Sequence, residues 1–478
     1  MKKLGVISLV LCLSVYFCGS FVCATTVEST EPTEQTIAAA VEENDNLGVD
    51  SAVPLLGSSQ LVENVKAAFL FELTSDTLMY AYNADAQMYP SSFVKILTAL
   101  IAIEEGNLND VVVATEEVLA TVPYDAVSSD IQIGEELTLE QLIYCMMVGS
   151  GNDAAAVIAS HISGSQELFV QKMNEYAHEL GCTGTQFMNV HGLHHEDQYT
   201  TARDMAKILR QAMKNESFVT VFSTVNYTIP ATNKSAARDL VTGNFMLNTS
   251  SMEIYYDARV AGGRTGVASD RTRCLATSAA GNGLELISIV FGAEDVVEDD
   301  GYTITSYGGY KETTELLNMC LDGYKAVQVL FPNQAVTQVD VVDGENNVVL
   351  GSDKAVSAVL PADVGLEDLS FKYGKTGQLR APIALGERIS NVEVWYGATC
   401  VAKGDLYAMN SVRSVLDMQS AENAAQNEQT TNNVLSVVFW VVIVCIALVL
   451  VVRFLPTLRK ILTKRRMRLY RKNRRRSR

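Results

Sequence analysis

Ser92 and Lys95 stand three residues apart at the start of "SFVKILTALIAI", and residues at that spacing share one face of a helix. Phe93, Val94, Ile96, Leu97, Leu100, Ile101 and Ile103 leave that helix no polar side, so it is expected to run through the middle of a domain. A lysine buried there exists readily as a neutral amine, and such an amine one turn from a hydroxyl can take its proton and activate it as a nucleophile. The same pair also fits a capping serine and a lysine whose stem follows apolar surface while its ammonium reaches water. Ser150 and Asn152, beside Gly149 and Gly151, follow the apolar face of Leu142, Met146 and Met147 and suit a cleft wall. Alone, they also fit a loop in which Asn152-Asp153 caps the next helix. A cation beside a hydroxyl, able to hold a carboxylate, occurs twice: Arg264-Thr265-Gly266 and Lys375-Thr376-Gly377. "NVHGLHHEDQ" gathers His191, His194 and His195, but without a matching carboxylate spacing these make weak ligands and no metal is expected.

The elements that must position these groups follow from periodicity. "VKAAFLFEL" and "TLMYAYN" read as two strands joined by a turn at Thr74-Ser75-Asp76. "TLEQLIYCMMVGSGNDAAAVIASHI" and "SQELFVQKMNEYAHELG" carry apolar residues at helical spacing, and Gly181 is placed to stop the second. "RCLATSAAGNGLELISIVFGA" reads as a strand, a Gly-Asn-Gly turn and a strand. Thr201 to Asp204 has the spacing of a capping box. From Ala326 the pattern changes to short alternating stretches, "AVQVLF", "VTQVDVV", "NVVLG", "SAVLP", "NVEVWYG" and "CVAKGDLYA", which indicate a small all-β module.

Ser92-Phe93-Val94-Lys95, then Ser150-Gly151-Asn152, then Arg264-Thr265-Gly266 resemble, in order, the three motifs of serine penicillin-recognising enzymes. The fit is nearest to the D-alanyl-D-alanine carboxypeptidases, the low-molecular-mass penicillin-binding proteins of peptidase family S11. The stretches after the second motif and at "YTTARDMAKI" resemble that family too, over roughly Val65 to Val296 and more loosely through "LRAPIALGERISNVEVW". The resemblance implies an α/β (α+β) catalytic domain of helices packed on an antiparallel sheet, followed by the all-β domain. It also selects between the two triplets, because a small-residue strand, a turn and a second strand follow Arg264 but not Lys375.

By resemblance, Ser92 is the nucleophile, Lys95 the general base, Ser150 the proton relay, and Asn152 the group that orients the substrate amide. Arg264, Thr265 and Gly266 bind the substrate carboxylate side, and the backbone N–H groups of Ser92 and Val267 form the oxyanion hole. No cofactor or metal is needed. The chain departs from the family pattern in Arg264 for a lysine, Val94 for a small polar residue, and "TGNFMLN" without a His-Asn pair. The implied substrates are peptidoglycan stem peptides and the implied inhibitors β-lactams. A serine β-lactamase and a catalytically silent wall-binding scaffold are the rival readings, the second kept open by Arg264.

Thirteen of the 37 Lys and Arg lie between Arg453 and Arg478, where there is no Asp or Glu. Thr25 to Asn433 keeps 22 basic residues against all 55 acidic ones, a net charge of −33 that excludes a nucleic-acid partner for this part. Residues 1–24 have the basic start, apolar stretch and Val-Cys-Ala end of a signal peptide. Residues 25–60 read as a disordered acidic linker, 61–324 as the peptidase domain, 325–410 as the β domain and 411–433 as a second linker, an amphipathic helix and then a polar spacer. Residues 434–452, broken only by Ser436, are long enough for one transmembrane helix, and 453–478 form a basic tail that the positive-inside rule keeps in the cytoplasm. The peptidase is therefore expected outside the plasma membrane of a bacterium with an exposed wall. Cys145, Cys182, Cys274, Cys320 and Cys400 are too widely spaced for a disulfide framework and read mostly as buried apolar residues.

Overall fold

The structure, a computed structural model, describes residues 54–249 and 252–474. The signal peptide expected at 1–24 and most of the acidic linker lie outside the described residues. The linker's last residues belong to the fold: Leu55 and Leu56 donate backbone hydrogen bonds to the carbonyls of Leu78 and Met79 and pack on the core. The folded region therefore starts at least six residues before the expected boundary at 61, because two leucines in a polar stretch suffice to extend the sheet edge.

Five antiparallel strands form the central sheet: β1 (Ala67–Glu72), β2 (Thr77–Tyr82), β3 (Val260–Val267), β4 (Arg273–Gly281) and β5 (Leu284–Ala293), in the order β2-β1-β5-β4-β3. Every residue of β1 is buried, which explains its continuous apolar run: both faces of the sheet are covered. The β4–β5 hairpin closes through Asn282 and Gly283, both at positive φ, the turn expected from Gly-Asn-Gly.

One face carries helices α1 (Val94–Glu105), α2 (Leu139–Met147), α3 (Asn152–Ser163), α4 (Gln166–Glu179) and α5 (Ala202–Met213). The other face is covered by α6 (Gly308–Leu321), whose Leu316, Leu317, Cys320 and Leu321 meet Leu275, Leu286 and Val290 of the sheet. Helix α1 is the central one, and all of Val94 to Ala102 is buried, Lys95 and Thr98 included. Side chains hold the helix starts: Thr138 makes a full capping box with Gln141, and Ser165 accepts from Leu168 N. Thr201 accepts from Asp204 N, as expected, while the Asp204 carboxylate accepts from Gly184 N and Thr185 Oγ1.

The β domain comprises a pair, β6 (Tyr324–Leu330) with β9 (Val356–Pro361), and a five-stranded sheet of β7 (Ala335–Val339), β8 (Val348–Gly351), β10 (Leu369–Tyr373), β11 (Arg388–Tyr396) and β12 (Thr399–Ala408). They enclose a core of Leu350, Leu360, Val392, Val394 and Leu406. Strand β10 is an addition to the sequence reading: it is an edge strand with Phe371 and Tyr373 exposed, so burial left no pattern to read. The expected second linker and membrane helix are continuous. One helix, α7 (Val415–Arg474), runs through both, and it is long and apolar enough to cross a bilayer.

Candidate active site

Ser91 to Phe93 form a single 3₁₀ turn that leads into α1, with Ser91 at φ +48°. A serine in the left-handed region costs backbone energy on the order of 1–3 kcal/mol, so its surroundings must impose it. They do so from two sides. Ser91 Oγ donates to the carbonyl of Val267 on β3 at 2.8 Å, and the Phe93 ring packs 5.0 Å from that of Phe291 on β5. Gly192 closes the third side. A Cβ there would lie 1.9 Å from the Ser91 carbonyl oxygen, and Gly192 itself sits at φ +86°. On β3, Gly266 allows equally close passage, since a Cβ would come within 2.9 Å of Ser91 Oγ.

One helical turn on, Lys95 is 1 % exposed. Its amine donates to Asn152 Oδ1 at 2.6 Å and to the His191 carbonyl at 2.8 Å. Burial, then the nearby Arg264 guanidinium, push its pKa well below the ordinary lysine value, partly opposed by Asp153. His191 is itself buried, and its pKa falls to about 4 through burial and the proximity of Lys95, so the ring is neutral near pH 7. His191 Nδ1 accepts from Leu193 N, and the His194 ring lies edge-on to Tyr89. Two members of the histidine cluster thus serve the loop.

Ser150 occupies the break between α2 and α3 at φ +63°, and Asn152 begins α3. Arg264, 4 % exposed, reaches across from β3: Nη2 donates to Ser150 Oγ at 2.7 Å, Nη1 to the Met147 carbonyl at 2.8 Å, and Nε lies 3.5 Å from the Ser92 carbonyl. The fork expected to meet a carboxylate is engaged largely within the protein. Burial lowers the Arg264 pKa to about 10, still charged at neutral pH. Thr265, the next residue on β3, is half-buried. Lys375-Thr376-Gly377 follows β10 in the β domain, with Lys375 exposed.

Asp153 was legible only as a cap, yet it organises the second motif. Its buried carboxylate accepts from the backbone N–H groups of Ser129, Ile131 and Ala154 and from Ser128 Oγ. Asp153→Asn removes one acceptor oxygen and turns an amide toward these donors, and should cost about 2–4 kcal/mol of stability. Denaturant unfolding of the variant beside the parent protein measures it.

Helices on an antiparallel sheet, with a buried Ser-x-x-Lys turn meeting Ser-x-Asn and a cationic edge strand, define the class of penicillin-recognising serine enzymes. A family model described as D-alanyl-D-alanine carboxypeptidase, peptidase S11, matches residues 58–295, and a model of the penicillin-binding protein 5 C-terminal domain matches residues 324–414. The D-alanyl-D-alanine carboxypeptidase of Streptomyces sp. (strain K15) is 32 % identical over 246 residues, covering 48 % of this chain and 82 % of the relative. D-alanyl-D-alanine carboxypeptidase DacF of Bacillus subtilis (strain 168) is 28 % identical over 371 residues, 76 % of this chain and 88 % of the relative. The crystal structure of penicillin binding protein 5 from Haemophilus influenzae superposes with a TM-score of 0.63 at 26 % identity, covering 75 % of this chain and all of that one. The chain belongs to the D-alanyl-D-alanine carboxypeptidase family, peptidase S11.

Proposed function

We propose that this chain is a penicillin-sensitive D-alanyl-D-alanine carboxypeptidase that removes the terminal D-alanine from peptidoglycan stem peptides. The observation that carries the reading is the bonding of Lys95. A neutral amine has two N–H groups and one lone pair. Both N–H groups are accounted for, at Asn152 Oδ1 and the His191 carbonyl, which leaves the lone pair to take a proton.

Lys95 takes the Ser92 hydroxyl proton as Oγ bonds to the carbonyl carbon between the two D-alanines. The Ser92 and Val267 N–H groups hold the resulting oxyanion. As the C–N bond breaks, Ser150 relays the proton held on Lys95 to the departing amine, which returns Lys95 to its neutral form. Ser150 Oγ accepts from Arg264, so its own O–H is free to point away from that cation. Asn152 Nδ2 orients the substrate amide, since Oδ1 is occupied by Lys95. Thr265 and the remaining Arg264 N–H groups meet the terminal carboxylate. Water then adds to the acyl carbonyl carbon as neutral Lys95 takes its proton, and Lys95 returns that proton to Ser92 Oγ as the ester bond breaks and the shortened peptide leaves.

The peptidase domain extends to residue 324 and the β domain from 325 to 410. Residues 434–452 cross the plasma membrane, leaving the peptidase outside a wall-bearing, Gram-positive-type cell and the basic tail in the cytoplasm. The direct test incubates the full chain in detergent with a peptide ending in D-Ala-D-Ala and, separately, with a penicillin. Free D-alanine and a drug adduct that decays slowly, followed by intact mass, support the reading. Rapid drug turnover would transfer support to a β-lactamase, and neither product nor adduct would leave a silent scaffold.

Arg264 gives a pH prediction with a definite sign. Its positive charge helps hold the Lys95 pKa down, so removing it raises that pKa. Activity falls as pH drops through the Lys95 pKa, so Arg264→Gln should shift the acid limb of kcat/KM to higher pH, while Arg264→Lys leaves the limb in place.

A further inference from the structure

Helix α7 does not end where its apolar run ends: it continues past Val452 to Arg474. Beyond Val452, Phe454, Leu455, Leu458, Ile461, Leu462 and Leu469 recur at three- and four-residue spacings, and all six are exposed. At 100° per residue they occupy an arc of about 120°. Arg453, Arg459, Lys460, Lys464, Arg466 and Arg468 fall outside that arc, Arg465 alone among the basic residues to 469 falls within it, and no Asp or Glu follows Glu428. A helix that ran straight on into water would leave this stripe uncovered.

Pro456 lies inside the helix, one turn after Val452. It has no N–H to give the Val452 carbonyl, and its ring crowds that oxygen, so the sequence places a bend at the edge of the apolar run. We propose that residues 457–469 lie along the membrane surface as an interfacial helix, bent away from the spanning segment at Pro456, with the apolar stripe in the acyl boundary and the basic residues on anionic phospholipid headgroups. Two features select lipid as the occupant: the stripe continues directly from the spanning segment, and its flanks carry only positive charge. The proposal rests on the reading of 434–452 as a membrane span.

Hydrogen–deuterium exchange of the full chain, in lipid discs of phosphatidylcholine alone or mixed equally with phosphatidylglycerol, tests it. Amides of 457–469 should exchange at least about tenfold more slowly in the anionic discs, with high salt reducing the difference. In a Leu458→Glu/Leu462→Glu variant the two discs should give equal, fast exchange. Equal exchange for the parent protein overturns the proposal, as does protection that survives in the variant, which would point to a protein partner. The span is the internal control: protected 434–452 amides with unprotected 457–469 amides sink this proposal alone, whereas free exchange at 434–452 sinks the membrane reading with it.

Discussion

A Ser92→Ala chain is expected to take up no penicillin at all, and a Lys95→Met chain to acylate about 10²–10⁴-fold more slowly than the parent, the range for removing a general base. On the proposed mechanism the two differ because one lacks the atom that forms the bond and the other only its proton acceptor. Methionine fills the space of a lysine stem that is buried along its length, so the fold should persist, and circular dichroism checks that it does. The loss in Lys95→Met should be nearly independent of pH above the acid limb of the parent, because the pKa of Lys95 lies well below the ordinary lysine value and the amine is already neutral there. Intact mass of protein quenched at set times after drug addition gives both rates. A Ser92→Ala chain that still gains the drug's mass would place the nucleophile elsewhere.

Gly192→Ala should have the next largest effect, although residue 192 carries no chemistry. Its added Cβ would sit 1.9 Å from the Ser91 carbonyl oxygen, 2.5 Å from the carbonyl carbon and 3.1 Å from the Ser92 nitrogen. All three are backbone atoms, so no side chain can swing aside. The segment before Ser92 must move by an ångström or more, and a displacement of that size at the proposed nucleophile can cost about 10²-fold in rate. Alanine at φ +86° adds backbone strain, a stability loss on the order of 1–3 kcal/mol. Gly243→Ala is the control, because a Cβ there meets nothing within 4 Å. Equal acylation rates for the two variants would show that the 192 loop does not set the position of Ser92.

What the sequence disclosed and what it withheld divide along a physical line. Helix α1 was legible because a lysine in an otherwise apolar run has few structural explanations, and the β4–β5 hairpin because a Gly-Asn-Gly turn separates two apolar runs. Ser92, Lys95, Ser150, Asn152 and Arg264 were legible as residue types at set spacings, and the fold joins Lys95 to Asn152 and Arg264 to Ser150. The partners that complete the site were not. Lys95 and Arg264 each end on a carbonyl, of His191 and Met147, and every residue has a carbonyl. The demand for glycine at 192 arises from contact with a segment a hundred positions earlier, and its only trace was a glycine inside a histidine-rich loop. Strand β10 was missed because an exposed edge strand leaves little apolar alternation.

Cys145, Cys182, Cys274 and Cys320 are buried and Cys400 is half-buried, none of them in a disulfide among the described residues, and burial pushes the thiols of Cys145, Cys274 and Cys320 up to about 12. The described domains are therefore closed by packing and hydrogen bonds without a covalent cross-link. Their folding waits on no oxidant, and a reductant has no bridge to cut. The same architecture can mature in an anaerobic or strongly reducing habitat as readily as in air, and alkylating reagents acting on the native protein should find Cys400 before any thiol of the core.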